Sequence, residues 1–136
     1  MVLVYRVDVK SLAPAHRASV LALVGADDAA LDACLYGVLY QDLSRVLGAA
    51  LVSAGSGGAH AVGPIAVLEA ERNRGIGTEL LAVLKEQLPP GVAARFAPPD
   101  DHPRRAALVA FVETSGFAEG ADGVYEYVTP SSGQRT

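Results

Sequence analysis

The chain has 136 residues, room for one domain and little more. Hydrophobic residues make up 51% and charged residues 19%, which supports a real core and excludes a disordered chain. A formal charge of −4 excludes the basic surface of a general nucleic-acid binder and leaves a weak preference for a cationic amine or polyamine partner.

Val2 to Val9 alternates apolar and polar residues and is rich in β-branched side chains, so it reads as a first strand rather than a signal peptide. Ser11 to Pro14 is a helix-start signal, and a helix follows over Ala15 to Val24. Gly25 to Asp28 punctuates the chain, and a second short helix runs from Ala29 to Leu35. The one cysteine, Cys34, stands among apolar residues as filler; alone it makes no intrachain disulfide. A strand begins at Gly37, Asp42 to Arg45 forms a turn, and Val46 to Ala54 is the next strand. Gly55 to Gly58 closes a hairpin onto a strand over Ala59 to Leu68, in which Gly63-Pro64 marks a bulge or a failure of pairing, because proline lacks the ladder N–H. Gly75 to Leu88 is an amphipathic helix with Ile76, Leu80, Leu84 and Leu88 on one stripe, widened by Leu81. After Pro89-Pro90-Gly91 come a strand over Val92 to Ala97, a loop to Pro103 and a helix from Arg104 to Ser115. Phe117 and Val124 to Val128 predict a last hairpin with Gly120 to Gly123 at its tip.

The order β-α-α-β-β-β-α-β-α-β-β describes a single α/β domain with a mixed sheet over residues 1–129, followed by a flexible polar tail over 130–136. No run of residues is long and apolar enough to cross a bilayer, and a cytoplasmic protein is expected. No His/Cys/carboxylate spacing predicts a metal site.

Chemistry concentrates in Arg72-Asn73-Arg74-Gly75-Ile76-Gly77-Thr78, between a strand and a helix. Helix N-termini leave backbone N–H groups unpaired and carry roughly half a positive charge, so an anion satisfies both. Gly75 and Gly77 remove the Cβ atoms that would keep a phosphate away, and Arg72 and Arg74 add positive charge. A nucleotide P-loop requires Gly-Lys-Ser/Thr, which is missing, and a dinucleotide fingerprint requires a glycine where Leu80 stands. A plain tight turn explains two glycines taken alone; the flanking strand and helix favour the anion site.

Arg72-x-x-Gly75-x-Gly77 resembles the Arg/Gln-x-x-Gly-x-Gly/Ala signature of the GNAT superfamily of acyl-CoA-dependent N-acyltransferases. Ile65-Ala66-Val67 is similar to the family strand that pairs with pantetheine, and Leu108 to Phe117 to its late helix and closing Gly-Phe. The family's element order covers Val2 to Val128. The resemblance implies a mixed, mostly antiparallel sheet split into a V and flanked by helices. It also implies acetyl-CoA as co-substrate, its pantetheine arm on the backbone of Ile65, Ala66 and Val67. The diphosphate would lie on Arg72, Asn73, Arg74, Gly75, Ile76, Gly77 and Thr78. An amine would attack the thioester directly, with the split strand polarising the carbonyl. Family members often dimerise, so a homodimer is compatible with the resemblance.

Two positions depart from the family pattern: Arg105 stands where an asparagine often contacts the cofactor, and Val112 where a tyrosine often protonates the leaving thiolate. A thiol has a reference pKa of about 8.5 and leaves tolerably without an acid, whereas an alkylamine near 10.4 needs a base. His60 and Tyr125 are the candidate base and acid, with His60 one residue from the family position at Ala61. Tyr127 shares a face with Tyr125; Asp100, Asp101 and His102 are candidates for the acceptor groove; Glu69 and Glu71 read as solvated. The regions expected to shape the acceptor site are Gly25 to Asp28, Gly55 to Gly58 and the last hairpin. The competing reading is a non-catalytic acyl-CoA-binding module for sensing or partner docking, and a third is a domain that binds no CoA.

Overall fold

The computed structural model describes residues 2–72, 74–98, 104–120 and 122–129. Seven strands form one sheet: β1 (Val2–Val7), β2 (Cys34–Asp42), β3 (Arg45–Ala54), β4 (His60–Val67), β5 (Ala93–Phe96), β6 (Ala118–Glu119) and β7 (Tyr125–Val128). Their order is β1-β2-β3-β4-β5-β7-β6, and every pairing is antiparallel except that of β4 with β5. Among the described residues the α-helices are α1 (Pro14–Val24), α2 (Asp28–Asp32), α3 (Ile76–Gln87) and α4 (Arg105–Thr114).

Two apolar clusters lie on opposite faces of the sheet. Val20 of α1 and Leu31 of α2 pack with Leu39, Val46, Ala49 and Leu51 on one face. On the other, Ile76, Leu80, Leu81, Leu84 and Leu88 of the α3 segment and Val112 of α4 pack with Val38, Ala50, Val52 and Phe96. The predicted stripe on α3 is therefore the stripe that is buried, and each such side chain contributes about 1.5–3 kcal/mol on leaving water.

Boundaries differ from the sequence reading by more than one residue at two places. The first strand, expected to reach Val9, ends at Val7, where Asp8 caps a short 3-10 turn over Val9–Ser11. Cys34 and Leu35, expected to end the second helix, begin β2 instead. Helix α2 stops at Asp32, and pairing of Cys34 with Ser53 draws the next residues into the sheet. Cys34 is partly buried, its thiol lies 3.4 Å from the Ala30 carbonyl, and burial raises its pKa.

The feature that positions a site is the seam between β4 and β5. Only His60 with Ala94 and Ala61 with Arg95 pair across it. Beyond Ala61 the pairing of the two strands ends, so among the described residues the β5-side edge of β4 has no strand partner from Val62 onward. At the same place β4 takes three steps, Ile65 to Val62, while β3 takes two, Ala50 to Val52. This bulge contains Gly63-Pro64, whose peptide is cis. The split V and the distortion at Gly63-Pro64 are both as the sequence led us to expect.

Candidate functional site

A cavity of about 960 Å³ fills the V and reaches both faces of the sheet. Ala61 to Val67 of β4 form one side and Arg95, Phe96 and Ala97 the other. From the α3/α4 face it is lined by Arg72, Gly75, Ile76, Gly77, Thr78, Arg104, Ala107, Leu108 and Phe111. From the α1 face it is lined by Leu23, Val24, Gly55 and Val124. Of the predicted cofactor residues, Ile65, Ala66, Val67, Arg72, Gly75, Ile76, Gly77 and Thr78 thus meet in one space. Arg74 does not line it, and Asn73 lies outside the described residues.

The two glycines of the turn have different physical reasons. Gly75 caps α3 with φ +78°, a left-handed conformation that a side chain strains, and a Cβ there would meet nothing within 4 Å. Gly77 has no such backbone demand. A Cβ on it would lie 2.9 Å from Cζ of Phe111, so its role is to let α3 and α4 close against each other. The N-cap of α3 is Gly75, which has no side chain to donate to or accept from the first turn, and Gly75, Ile76, Gly77 and Thr78 of that turn all line the cavity.

Charge around the turn is arranged in local pairs. Arg74 is hydrogen-bonded to Glu71, whose side chain is only 15% exposed. Glu71 is therefore a partly buried residue of the cavity wall, not the solvated one the sequence suggested. Arg72 lies 3.8 Å from Glu69, which is almost fully exposed, so this pair is weak and leaves Arg72 able to turn to an anion.

Neither candidate acid–base residue lines the cavity. His60 packs edge-to-face on Tyr36, ring centroids 6.1 Å apart, and its Nδ1 is buried without a hydrogen-bond partner among the described residues. The bulge falls after Ala61, so it does not redirect His60; Ala61 holds the place on the cavity wall. Tyr125 stands opposite Phe96, is 4% exposed and belongs to the same cluster as Val112 and Phe117. Burial, assisted by Glu119 and Glu113, raises its pKa and keeps the phenol protonated. Each residue is next in sequence to a lining residue: His60 to Ala61, Tyr125 to Val124. Asp100, Asp101 and His102 lie outside the described residues.

Sequence reasoning did not single out Arg104, Ala107, Leu108 and Phe111 as a cavity wall, although their i, i+3, i+4, i+7 spacing marks one helical face. It also missed Leu23, Val24 and Arg95, which reach the site only through the packing of distant segments. Among the described residues no helix is long and apolar enough to cross a membrane, and no group of three or more His, Cys, Asp or Glu residues is placed to hold a metal ion.

The family model described as "Acetyltransferase (GNAT) domain, PanZ" matches residues 5–125 of the chain. Comparison with curated proteins returns no match. Among solved structures, Escherichia coli YhhK, a candidate N-acetyl transferase bound to coenzyme A, is 22% identical, with a TM-score of 0.73 over 94% of this chain and 98% of that one. The ribosomal-protein-S18-alanine N-acetyltransferase of Escherichia coli is 15% identical, with a TM-score of 0.70 over 100% and 99% of the two chains. An aminoglycoside 6'-N-acetyltransferase complexed with coenzyme A is 14% identical, with a TM-score of 0.65 over 93% and 97%. At these identities the structures establish a shared fold.

Proposed function

The chain belongs to the PanZ-type GNAT acetyltransferase domain family, and from that membership we propose that it binds acetyl-CoA in the V and moves the acetyl group to a primary amine. The observation that carries the reading is the joining, in one cavity, of the β4 edge that has no strand partner among the described residues and the glycine-capped N-terminus of α3. The first offers backbone groups to the amides of pantetheine; the second offers N–H donors to a diphosphate. Arg72, Gly75, Ile76, Gly77 and Thr78 would hold the diphosphate, and Ile65, Ala66 and Val67 the pantetheine arm. CoA-bound proteins of the same fold support the choice of cofactor. The thioester would then lie near Ala61 to Pro64, where backbone donors polarise its carbonyl as the amine attacks. His60, at the end of β4 that pairs with β5, is proposed to take the amine's proton through water rather than by direct contact. Calorimetric titration with CoA, followed by thiol release from acetyl-CoA against an amine panel, tests both halves. Binding together with transfer supports the reading, and absence of CoA binding overturns it.

One observation favours the non-catalytic module as a second reading. The described lining includes no His, Tyr or Cys, and its one carboxylate, Glu71, is already paired with Arg74. CoA binding without transfer to any amine would select this reading over the first.

A further inference from the structure

Among the described residues, Arg95 is the one charged residue that lines the α1 side of the cavity, where an acceptor would approach. Ala94 and Phe96 are buried in the α3/α4 cluster, so alternation along β5 turns Arg95 to the opposite face. Arg95 is also the last residue of β5 that pairs with β4 before the strands diverge. Its Nη2 donates to Oδ2 of Asp122 at 2.5 Å; its Nε makes no hydrogen bond among the described residues and lies 3.5 Å from Oε2 of Glu126, its cross-strand neighbour on β7, as a charge contact. Asp122 in turn accepts from the N–H of Val124 through Oδ1 at 3.1 Å. Gly123 N–H bonds to Gly120 O and Gly120 N–H to Val124 O, closing the β6–β7 turn on itself. Val124, held at the end of this chain of bonds, lines the cavity together with Leu23 and Val24.

We propose that Arg95 is a positioning residue that latches the β6–β7 turn to the fixed end of the V and thereby sets the acceptor-side wall at Val124. This rests on the acetyltransferase reading for its consequence but not for its geometry. A guanidinium suits the task because its planar fork directs one Nη2–H at Asp122 while its spread charge faces Glu126, which an ammonium does with less directional control. The cofactor residues on the α3 turn are held by other contacts, so the latch acts on the acceptor side alone.

The test compares wild type, Arg95→Gln and Arg95→Lys. Hydrogen exchange of the Val124 amide and the methyl resonances of Val124 are followed with CoA bound, and CoA affinity is measured alongside. Arg95→Gln is expected to speed Val124 exchange at least tenfold and leave CoA affinity within about threefold, with Arg95→Lys recovering part of the protection. With any amine that accepts acetyl, Arg95→Gln should raise the acceptor KM at least fivefold and leave the KM for acetyl-CoA unchanged. Unchanged Val124 exchange overturns the latch, and so does an equal loss toward CoA and acceptor, which marks a general structural role. If no amine is acetylated, the acetyltransferase reading fails while the exchange and CoA measurements still decide the latch.

Discussion

At the scale of single residues, Gly75 and Gly77 show how one motif carries two demands. Both were legible in the sequence as glycines of an anion-binding turn, but the reason for Gly77 was not, because Phe111 is distant in the chain. Gly77→Ala places a methyl 2.9 Å from Phe111 Cζ, so the ring must swing, and Phe111 lines the cavity. Overpacking of this kind costs roughly 1–3 kcal/mol, and CoA affinity should fall about tenfold. Adding Phe111→Leu should restore stability to Gly77→Ala in denaturant unfolding, which separates ring crowding from any phosphate effect. A second prediction concerns Tyr125 and His60. A general acid or base contributes about two to four powers of ten to a rate. Tyr125→Phe should change the turnover of an accepted amine less than threefold, since the phenol is buried with Val112 and Phe117. His60→Gln should lower it about a hundredfold on an alkylamine, measured by thiol release. Asp122 adds a pH test. The Val124 N–H and Arg95 hold its carboxyl below the usual range. A lowered folded-state pKa means the stabilisation is present above the unfolded carboxylate pKa and is lost as pH falls through the folded value. Protection of the Val124 amide should therefore persist at neutral pH and fade on acidification below the ordinary aspartate range.

At the scale of elements, periodicity made α3 legible and local composition misplaced the start of β2. Ile76, Leu80, Leu81, Leu84 and Leu88 repeat at helical spacing, and all are at most 6% exposed. Leu80→Ala should cost about 2–5 kcal/mol, measured by urea unfolding, because Leu80 is fully buried between α3 and β3. It should loosen the glycine-capped N-terminus of α3 as well, so CoA affinity falls with stability. The segment from Ala29 to Leu35 is rich in good helix formers, and propensity carried the expected helix three residues past its end at Asp32. Pairing of Cys34 with Ser53 is a long-range contact that no local window contains. The cavity face of α4 falls between these cases. Its spacing was visible, but an apolar stripe does not say whether it meets a core or a cavity, and here Val112 meets the first while Phe111 meets the second.

At the scale of the whole molecule, the site exists because the sheet stops being a sheet. Ala61 and Arg95 make the last pair between β4 and β5, and everything beyond is an opened seam with a bulge on one side. Gly63-Pro64 announced a distortion in the sequence; the partner from which β4 parts became legible only through the family resemblance. A ligand lying in this seam would tie β4, α3 and α4 together, so its binding should stabilise the whole domain rather than one element. A ligand that binds only the folded state at a hundred times its Kd adds roughly 2.7 kcal/mol, on the order of 10 °C in Tm for a chain of this size. CoA is expected to give such a shift in a thermal melt, while pantetheine, which lacks the diphosphate, should give much less. Gly75→Glu supplies the control. It puts a carboxylate beside the α3 N-terminus and strains a residue at φ +78°, a conformation that costs roughly 1–2 kcal/mol for a side chain. The apo protein should therefore melt only a few degrees lower, and the CoA-dependent rise should vanish. A rise that survives Gly75→Glu would place the diphosphate away from the α3 turn, and with it the assignment of Arg72, Ile76, Gly77 and Thr78 to the cofactor would fall.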